Sequence, residues 1–110
     1  MKVSQKNNYK LVSSEEKSFD IFLKNFEQQY QKIKDSHIVL EISLQNNFTE
    51  QNILLFLAYA NVQIENGLSF VVVNDYVEID NFPEKFNIVP TLIEAEDIIE
   101  MEDIQRDLGF

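Results

Sequence analysis

The 110-residue chain contains no cysteine, one histidine, two glycines and two prolines. Without cysteine, this sequence can form no disulfide, thiol nucleophile, iron–sulfur cluster or cysteine-based zinc site. Two glycines cannot make a glycine-rich phosphate loop. The single histidine, His37, supplies neither a zinc triad nor the usual histidine relay, so we expect it to be a surface or strand-end residue. We therefore expect no cofactor and predict no catalytic or metal-binding residue.

Long apolar runs are also missing. The longest, residues 53–60, is far shorter than the roughly 18 to 20 residues that a membrane span requires. Residues 1–8 contain no apolar centre of the kind that signal peptides have. We therefore predict a soluble, cytoplasmic protein with no membrane partner.

Basic residues are scarce in most of the chain. Residues 1–34 contain seven lysines and four acidic residues, whereas residues 35–110 contain fifteen acidic residues and only two basic ones. The net charge of the whole chain is −10. Nucleic acid binding depends on clustered lysine and arginine side chains that neutralise phosphates. This distribution predicts that nucleic acid is not a partner.

The first part of the chain predicts a strand, a helix and a second strand. Residues 9–12 are predicted to form a short strand, and Ser13 with Glu16 predicts a capping box that begins a helix. Residues 37–44 predict the next strand. The inward face of the helix consists of Phe19, Phe22, Leu23, Phe26, Tyr30 and Ile33. The buried face of the strand consists of Ile38, Leu40, Ile42 and Leu44.

A second helix is predicted over residues 50–65, with the Thr49 hydroxyl as its cap. It is apolar nearly all round, which indicates either burial on more than one side or an apolar face presented to a partner. Gly67 follows where the end of a helix favours a left-handed residue. Residues 68–73 then form a β-branched run that is typical of a central parallel strand.

The last part of the chain predicts a weaker strand over residues 76–79, a short strand over residues 86–90 and a final helix. Thr91 and Glu94 form the capping box of this helix, which we expect to end or bend before Arg106. Consecutive acids on a helix do not converge on a cation, so we interpret its acids as a solvated face, with a partner-binding face as the alternative. These acids are Glu94, Glu96, Asp97, Glu100, Glu102, Asp103 and Asp107.

The order of these elements predicts a single α/β domain over residues 1–110. Alternating strands and helices favour a mainly parallel central sheet of four to five strands with three main helices. The core is expected to span residues 9–104. Residues 1–8 and 105–110 are expected to be flexible tails.

Three stretches carry a resemblance to a known family. Residues 38–43, Ile-Val-Leu-Glu-Ile-Ser, are similar to a strand that ends in an Asp-Leu-Ser-like sequence. Residues 68–74 are similar to the strand that follows the buried helix. Residues 89–96, Val-Pro-Thr-Leu-Ile-Glu-Ala-Glu, are similar to the closing strand and the start of the helix after it. In this order, over residues 9–102, the chain resembles the STAS domain, the fold of bacterial anti-sigma factor antagonists. The resemblance implies a regulatory role through protein binding.

The resemblance is weakest at the phosphorylation motif. STAS antagonists carry Asp-Ser-Ser-Gly at the start of the buried helix, where a kinase phosphorylates a serine. Here Thr49 matches the Asp, Glu50 and Gln51 match the two serines, and Asn52 matches the Gly. The acceptor serines are therefore absent. Glu50 is either an ordinary first-turn glutamate or a crude mimic of the phosphorylated state.

A non-enzymatic interaction module that docks on a protein partner is the leading functional hypothesis. The resemblance implies a partner of the regulatory kinase or anti-sigma type and a surface on the loop 45–48 and the turn that follows it. Phe48 is either an exposed anchor of this surface or a hydrophobic staple under the helix. The candidate partner-binding residues are Asn46, Asn47, Phe48, Thr49, Glu50, Gln51 and Asn52.

Two alternatives remain open. The first is a small metal-dependent hydrolase related to ribonucleases, in which Glu41 or Glu94 would act. Short bacterial proteins of this kind are sometimes labelled ribonuclease Z, but that enzyme needs a His-x-His-x-Asp-His motif and further histidines, against one histidine here. The second is insertion of the tail, residues 108–110, into a partner or a second copy. The oligomeric state is left open.

Overall fold

The computed structural model of the protein describes residues 1–43 and 46–109. Its strands are β1 (Lys2–Gln5), β2 (Tyr9–Ser13), β3 (His37–Glu41), β4 (Phe70–Val73) and β5 (Asn87–Val89). Its α-helices are α1 (Phe19–Ile33), α2 (Glu50–Leu54), α3 (Leu57–Glu65) and α4 (Leu92–Asp107), and a short 3₁₀ helix spans Ile79–Asn81. Leu44, Gln45 and Phe110, which belong to the predicted strand, loop and tail, lie outside the described residues.

The five strands form one sheet in the order β1-β2-β3-β4-β5. β1 is antiparallel to β2, and every other neighbouring pair is parallel. The predicted α/β class, with a mainly parallel sheet, is therefore confirmed. Within residues 1–43 and 46–109, no helix is both long enough and apolar enough to cross a bilayer.

Helices cover both faces of the sheet. Even-numbered sheet residues such as Ile38 and Leu40 pack against α1, α2 and α3, and odd-numbered residues such as Val39 and Val71 pack under α4. Because both faces are covered, all four residues of β4 are buried, as expected for a central parallel strand. The two faces are called below the aromatic face and the α4 face.

The predicted second helix is divided in two. Leu55 and Phe56 donate backbone hydrogen bonds to the carbonyls of Asn52 and Ile53, three residues earlier, which tightens the chain between α2 and α3. This tightening places the Phe56 ring in the core, where it is fully buried. The predicted caps at Thr49 and Thr91 and the left-handed Gly67, whose φ is 75°, are confirmed.

Residues 1–8 were expected to be a tail, and this is wrong for Lys2–Gln5. These residues form an antiparallel edge strand, with Lys2 opposite Ser13 and Gln5 opposite Lys10. The end of α4 was also misplaced, because the helix continues to Asp107. Arg106 is anchored there by hydrogen bonds to Asp103 and Ser69.

Two local predictions fail because longer-range pairing competes with them. Ser13 does not cap α1, since it pairs with Glu41 at the end of β2, and the cap is Ser18, whose hydroxyl accepts a hydrogen bond from the Ile21 amide. The strand predicted over residues 76–79 is absent from the described chain. Asn74 instead turns the backbone there, and a 3₁₀ helix follows.

Candidate docking surface at the carboxyl edge of the parallel strands

The carboxyl ends of β2 to β5 meet at one edge of the sheet, called here the carboxyl edge. Residues that follow these strands, among them Ser14, Ser43, Asn74 and Pro90, line an open groove of about 540 Å³. Binding sites in open α/β sheets commonly lie outside the carboxyl ends of the strands. The predicted partner-binding residues, which follow β3, lie at the same edge.

Asn46 holds two connections together. Its side-chain Oδ1 accepts a hydrogen bond from the Ser43 amide at 3.0 Å, and its Nδ2 donates to the carbonyls of Ser14 at 3.3 Å and Glu16 at 3.0 Å. Asn46 is buried. Its side chain joins the β2–α1 connection to the β3–α2 connection, and a partner-binding role for Asn46 stays a prediction.

Asn74 and Tyr76 hold the opposite side of the same loop. The buried Asn74 accepts hydrogen bonds from the amides of Tyr76 and Val77 and donates one to the Ile42 carbonyl, all at 3.1 Å. The Tyr76 hydroxyl donates to the Phe48 carbonyl at 2.8 Å. A turn at the Asn-Asp pair after β4 is expected from the sequence, but neither Asn74 nor Tyr76 is among the predicted partner-binding residues.

Phe48 lies inside the protein. Its ring meets Phe19 edge to face, with 5.3 Å between the ring centroids, and lies 5.6 Å from the ring of Phe22. It immediately precedes the cap Thr49 and shares a core cluster with Ile53, four residues after that cap. This is the position of a hydrophobic staple. The staple alternative is confirmed, and the exposed anchor is wrong.

Thr49 and Asn52 close the start of α2 reciprocally. The Thr49 hydroxyl accepts a hydrogen bond from the Asn52 amide at 3.0 Å, and the Asn52 Oδ1 accepts one from the Thr49 amide at the same distance. Two of the orphan amides at the start of α2 are therefore satisfied by side chains. The Thr49 hydroxyl therefore acts as the cap of α2.

Glu50, at the position of the family's first serine, is bonded through both carboxylate oxygens. Oε2 accepts a hydrogen bond from the Glu78 amide and Oε1 accepts one from the Asn81 side chain, each at 2.9 Å. The backbone bond from Glu78, followed by that from Asn81, lowers the pKa of Glu50 below its usual value. The carboxylate thus ties residues 78–81 to the start of α2.

The residues at this edge that face solvent are fewer than predicted. Asn47, Thr49 and Gln51 are exposed, whereas Glu50 and Asn52 are half-buried. Leu54 and Leu55 follow them and expose 38% and 55% of their surfaces. We call Asn47, Thr49, Gln51, Leu54 and Leu55 the α2 surface. The sequence predicts the first three of these residues, and the two leucines were missed.

A second polar network, at the opposite end of the strands, attaches α4 to the sheet. Ser69 Oγ donates to Glu102 at 2.6 Å and accepts from Arg106 Nη2 at 3.0 Å, and Arg106 also donates to Asp103 at 2.7 Å. His37, the first residue of β3 as expected, accepts a hydrogen bond from the Ser69 amide and lies 3.2 Å from Asp103. We call these five residues the Ser69 network.

The acids of α4 are therefore not one solvated face. Glu102 and Asp103 belong to the Ser69 network and are half-buried, and Glu96 accepts a hydrogen bond from the Tyr9 hydroxyl at 2.8 Å. Burial, and then this bond to Glu96, raises the pKa of Tyr9 to about 12. In the described ranges, no three acidic or histidine side chains are grouped so that they could hold a metal ion.

Comparison with known proteins adds no relative: no protein-family model matches the chain, and no curated protein matches it either.

Proposed function

We propose that this chain is a non-enzymatic interaction module of the STAS type, which docks a regulatory protein on the α2 surface. The proposed partner is a kinase-like or anti-sigma-type protein, as the resemblance implies, and the proposed setting is the cytoplasm. The order of a strand, an amphipathic helix, a strand, a buried helical segment and a further strand supports the proposal. The proposal includes no nucleic acid partner, because thirteen more acids than basic residues lie in residues 35–110.

The observation that carries the proposal is an exposed apolar surface without charge. Residues 51–64 contain no charged residue, in a chain in which 25% of residues are charged. Within this stretch Leu55 is more than half exposed, and Leu54, Val62 and Ile64 also reach solvent. Exposed apolar side chains along a stretch without charge favour an interaction surface over a solvated face.

Residues 46–50, which lie beside this surface, are held by hydrogen bonds within the chain. Asn46 bonds the Ser14 carbonyl, Tyr76 bonds the Phe48 carbonyl, and Glu50 joins the first turn of α2 to residues 78–81. Ordering a segment on binding costs free energy, so residues that are already held in place support tighter docking. Glu50 contributes by holding this geometry, because both of its oxygens are engaged within the chain.

The test compares two leucine-sized apolar residues that are equally exposed on opposite faces. Leu55, on the α2 surface, is 55% exposed, and Ile104, on α4, is 54% exposed. Tagged wild-type protein, Leu55→Asp and Ile104→Asp are used for affinity purification from the native host, with quantitative mass spectrometry. We expect a partner that wild type and Ile104→Asp retain and that Leu55→Asp loses by about tenfold or more.

Circular dichroism and thermal melting establish that both variants fold. The proposal fails if wild type retains no specific partner, or if Leu55→Asp retains the same partners as wild type. Gln51→Lys provides a second variant on the same surface. Its side chain is exposed, so the change introduces a charge into the proposed interface without opening the core.

A further inference from the structure

An apolar groove of about 370 Å³ lies beside β5, the outer strand of the sheet, where the flank of α4 extends past it. Its apolar wall is formed by Ile79, Val89, Pro90, Ile98 and Met101. Ile79 and Met101 expose 47% and 48% of their surfaces. The groove therefore presents apolar surface to solvent at an edge of the sheet that no further strand of the described chain covers.

Two carboxylates stand in the lining of this groove. Glu94 and Asp97 are three residues apart on α4, so they lie on the same flank of the helix as Ile98 and Met101. The Asp97 side chain makes no hydrogen bond or ion pair with any residue in the described ranges, and the Glu94 side chain there accepts only a hydrogen bond from the Thr91 hydroxyl. No basic residue lines the groove. A positively charged occupant would therefore meet the negative charges of Glu94 and Asp97 at the rim of the groove.

The other flank of α4 is different in character. Glu96 is bonded to Tyr9, and Asp103 belongs to the Ser69 network, so two of its carboxylates are already satisfied within the chain. This flank of α4 faces the β1–β2 turn, and Glu100 and Asp107 lie along the flank. The β5 flank differs in its wall, which is mainly apolar beside its two carboxylates, whereas polar and acidic residues predominate around Ile104 on the other flank.

We propose that this groove binds a segment of a protein partner that inserts an apolar side chain next to a lysine or arginine, the cation pairing with Glu94 and Asp97. The apolar wall provides the burial, and the two carboxylates select the sign of the neighbouring charge. A second copy of this chain is a poor occupant, because each copy carries a net charge of −10. This docking site is separate from the α2 surface and does not depend on it.

The test selects peptides from a phage-displayed random library on the full chain and on two charge-reversed variants. The first variant is Glu94→Lys with Asp97→Lys, in the groove. The matched control is Glu100→Lys with Asp107→Lys, which makes the same change in charge on the other flank of α4. We expect wild type and the control to select peptides with an apolar residue beside Lys or Arg. The groove variant should select acidic peptides instead.

Titration calorimetry of one selected peptide supplies the second measurement. We expect Met101→Asp to weaken its binding by about tenfold or more, and Met101→Gln to weaken it less. Melting curves check that both variants fold. The proposal is overturned if no peptide class is enriched, or if the groove variant selects the same class as wild type. It is also overturned if sedimentation shows self-association that Met101→Asp abolishes, since the occupant is then a second copy.

Discussion

The aromatic face and the α4 face of the sheet are stabilised by different interactions. On the aromatic face, the rings of Phe22, Phe26 and Phe56 are fully buried and pack against one another, with 5.0 Å between the centroids of Phe26 and Phe56. On the α4 face, only Ala95 and Ile99 of the helix are buried. Leu92 and Ile98 pack partly buried against the same cluster, and hydrogen bonds from the Ser69 network and Tyr9 add polar contacts to the sheet.

The comparison shows that apolar burial and hydrogen bonds stabilise different parts of one fold. Burial of the aromatic rings contributes a large, weakly directional free energy that stabilises α1 to α3. Hydrogen bonds are smaller in net free energy but specific in geometry. Since α4 buries only two side chains, its polar contacts define its position along the strands.

The largest effect is expected from Phe26→Ala on the aromatic face. Removing this ring leaves a cavity among several aromatic neighbours, so the free energy of unfolding should fall by about 3–5 kcal/mol. Urea denaturation followed by circular dichroism measures it. Gln28→Ala, at an exposed position of the same helix, serves as the control and should change stability little. A loss below about 1 kcal/mol would contradict the role given to this cluster.

An intermediate effect is expected from Ser69→Ala on the α4 face. The change removes the hydroxyl that donates to Glu102 and accepts from Arg106, so the unfolding free energy should fall by about 1–3 kcal/mol. Hydrogen exchange should report faster opening of α4 amides, with α1 amides protected as before. Glu100→Gln is the control on the same helix. Equal loss of protection in both helices would show that α4 is not held separately.

A smaller effect is expected from Tyr9→Phe, which removes the hydrogen bond to Glu96 and should cost about 1 kcal/mol. The pKa of Tyr9 is raised from 10.0 to about 12, so the folded protein holds this proton more tightly than the unfolded chain does. Its contribution is fully present below pH 10 and is lost as the pH rises towards about 12.

Denaturant titrations of wild type and Tyr9→Phe across this range measure the difference. Subtracting the unfolding free energy of the variant from that of wild type removes the titration of the remaining tyrosines. This difference in unfolding free energy should become smaller as the pH rises. A constant difference would mean that Tyr9 ionises no differently in the folded and unfolded states.

The smallest effect is expected from Glu50→Gln at the carboxyl edge. The lowered pKa of Glu50 means that its charge stabilises the folded protein above the usual pKa of 4.5, and this contribution is lost as the pH falls through the lowered value. Hydrogen exchange in residues 76–81 should increase at neutral pH and converge with wild type in acid. Glu65→Gln is the control. No change in this loop would contradict the anchoring role of Glu50.

Local patterns predicted much of the fold and part of the candidate site. The apolar run of β4, the Thr49 and Thr91 caps and the left-handed Gly67 depend on neighbouring residues, and each is found where it was predicted. Ser13 shows the limit of such patterns. It has the spacing of a capping box with Glu16, but pairing with β3 takes Ser13 into a strand.

The sequence by itself determined the alternation of strands and helices, because apolar periodicity and caps are encoded in neighbouring residues. Only the tertiary structure decided which polar side chains reach solvent and which hold the fold. Asn46 and Asn74 each bond the backbone of a segment about thirty residues away. Such bonds depend on which strands lie side by side and in which register, and no short stretch of sequence carries that information.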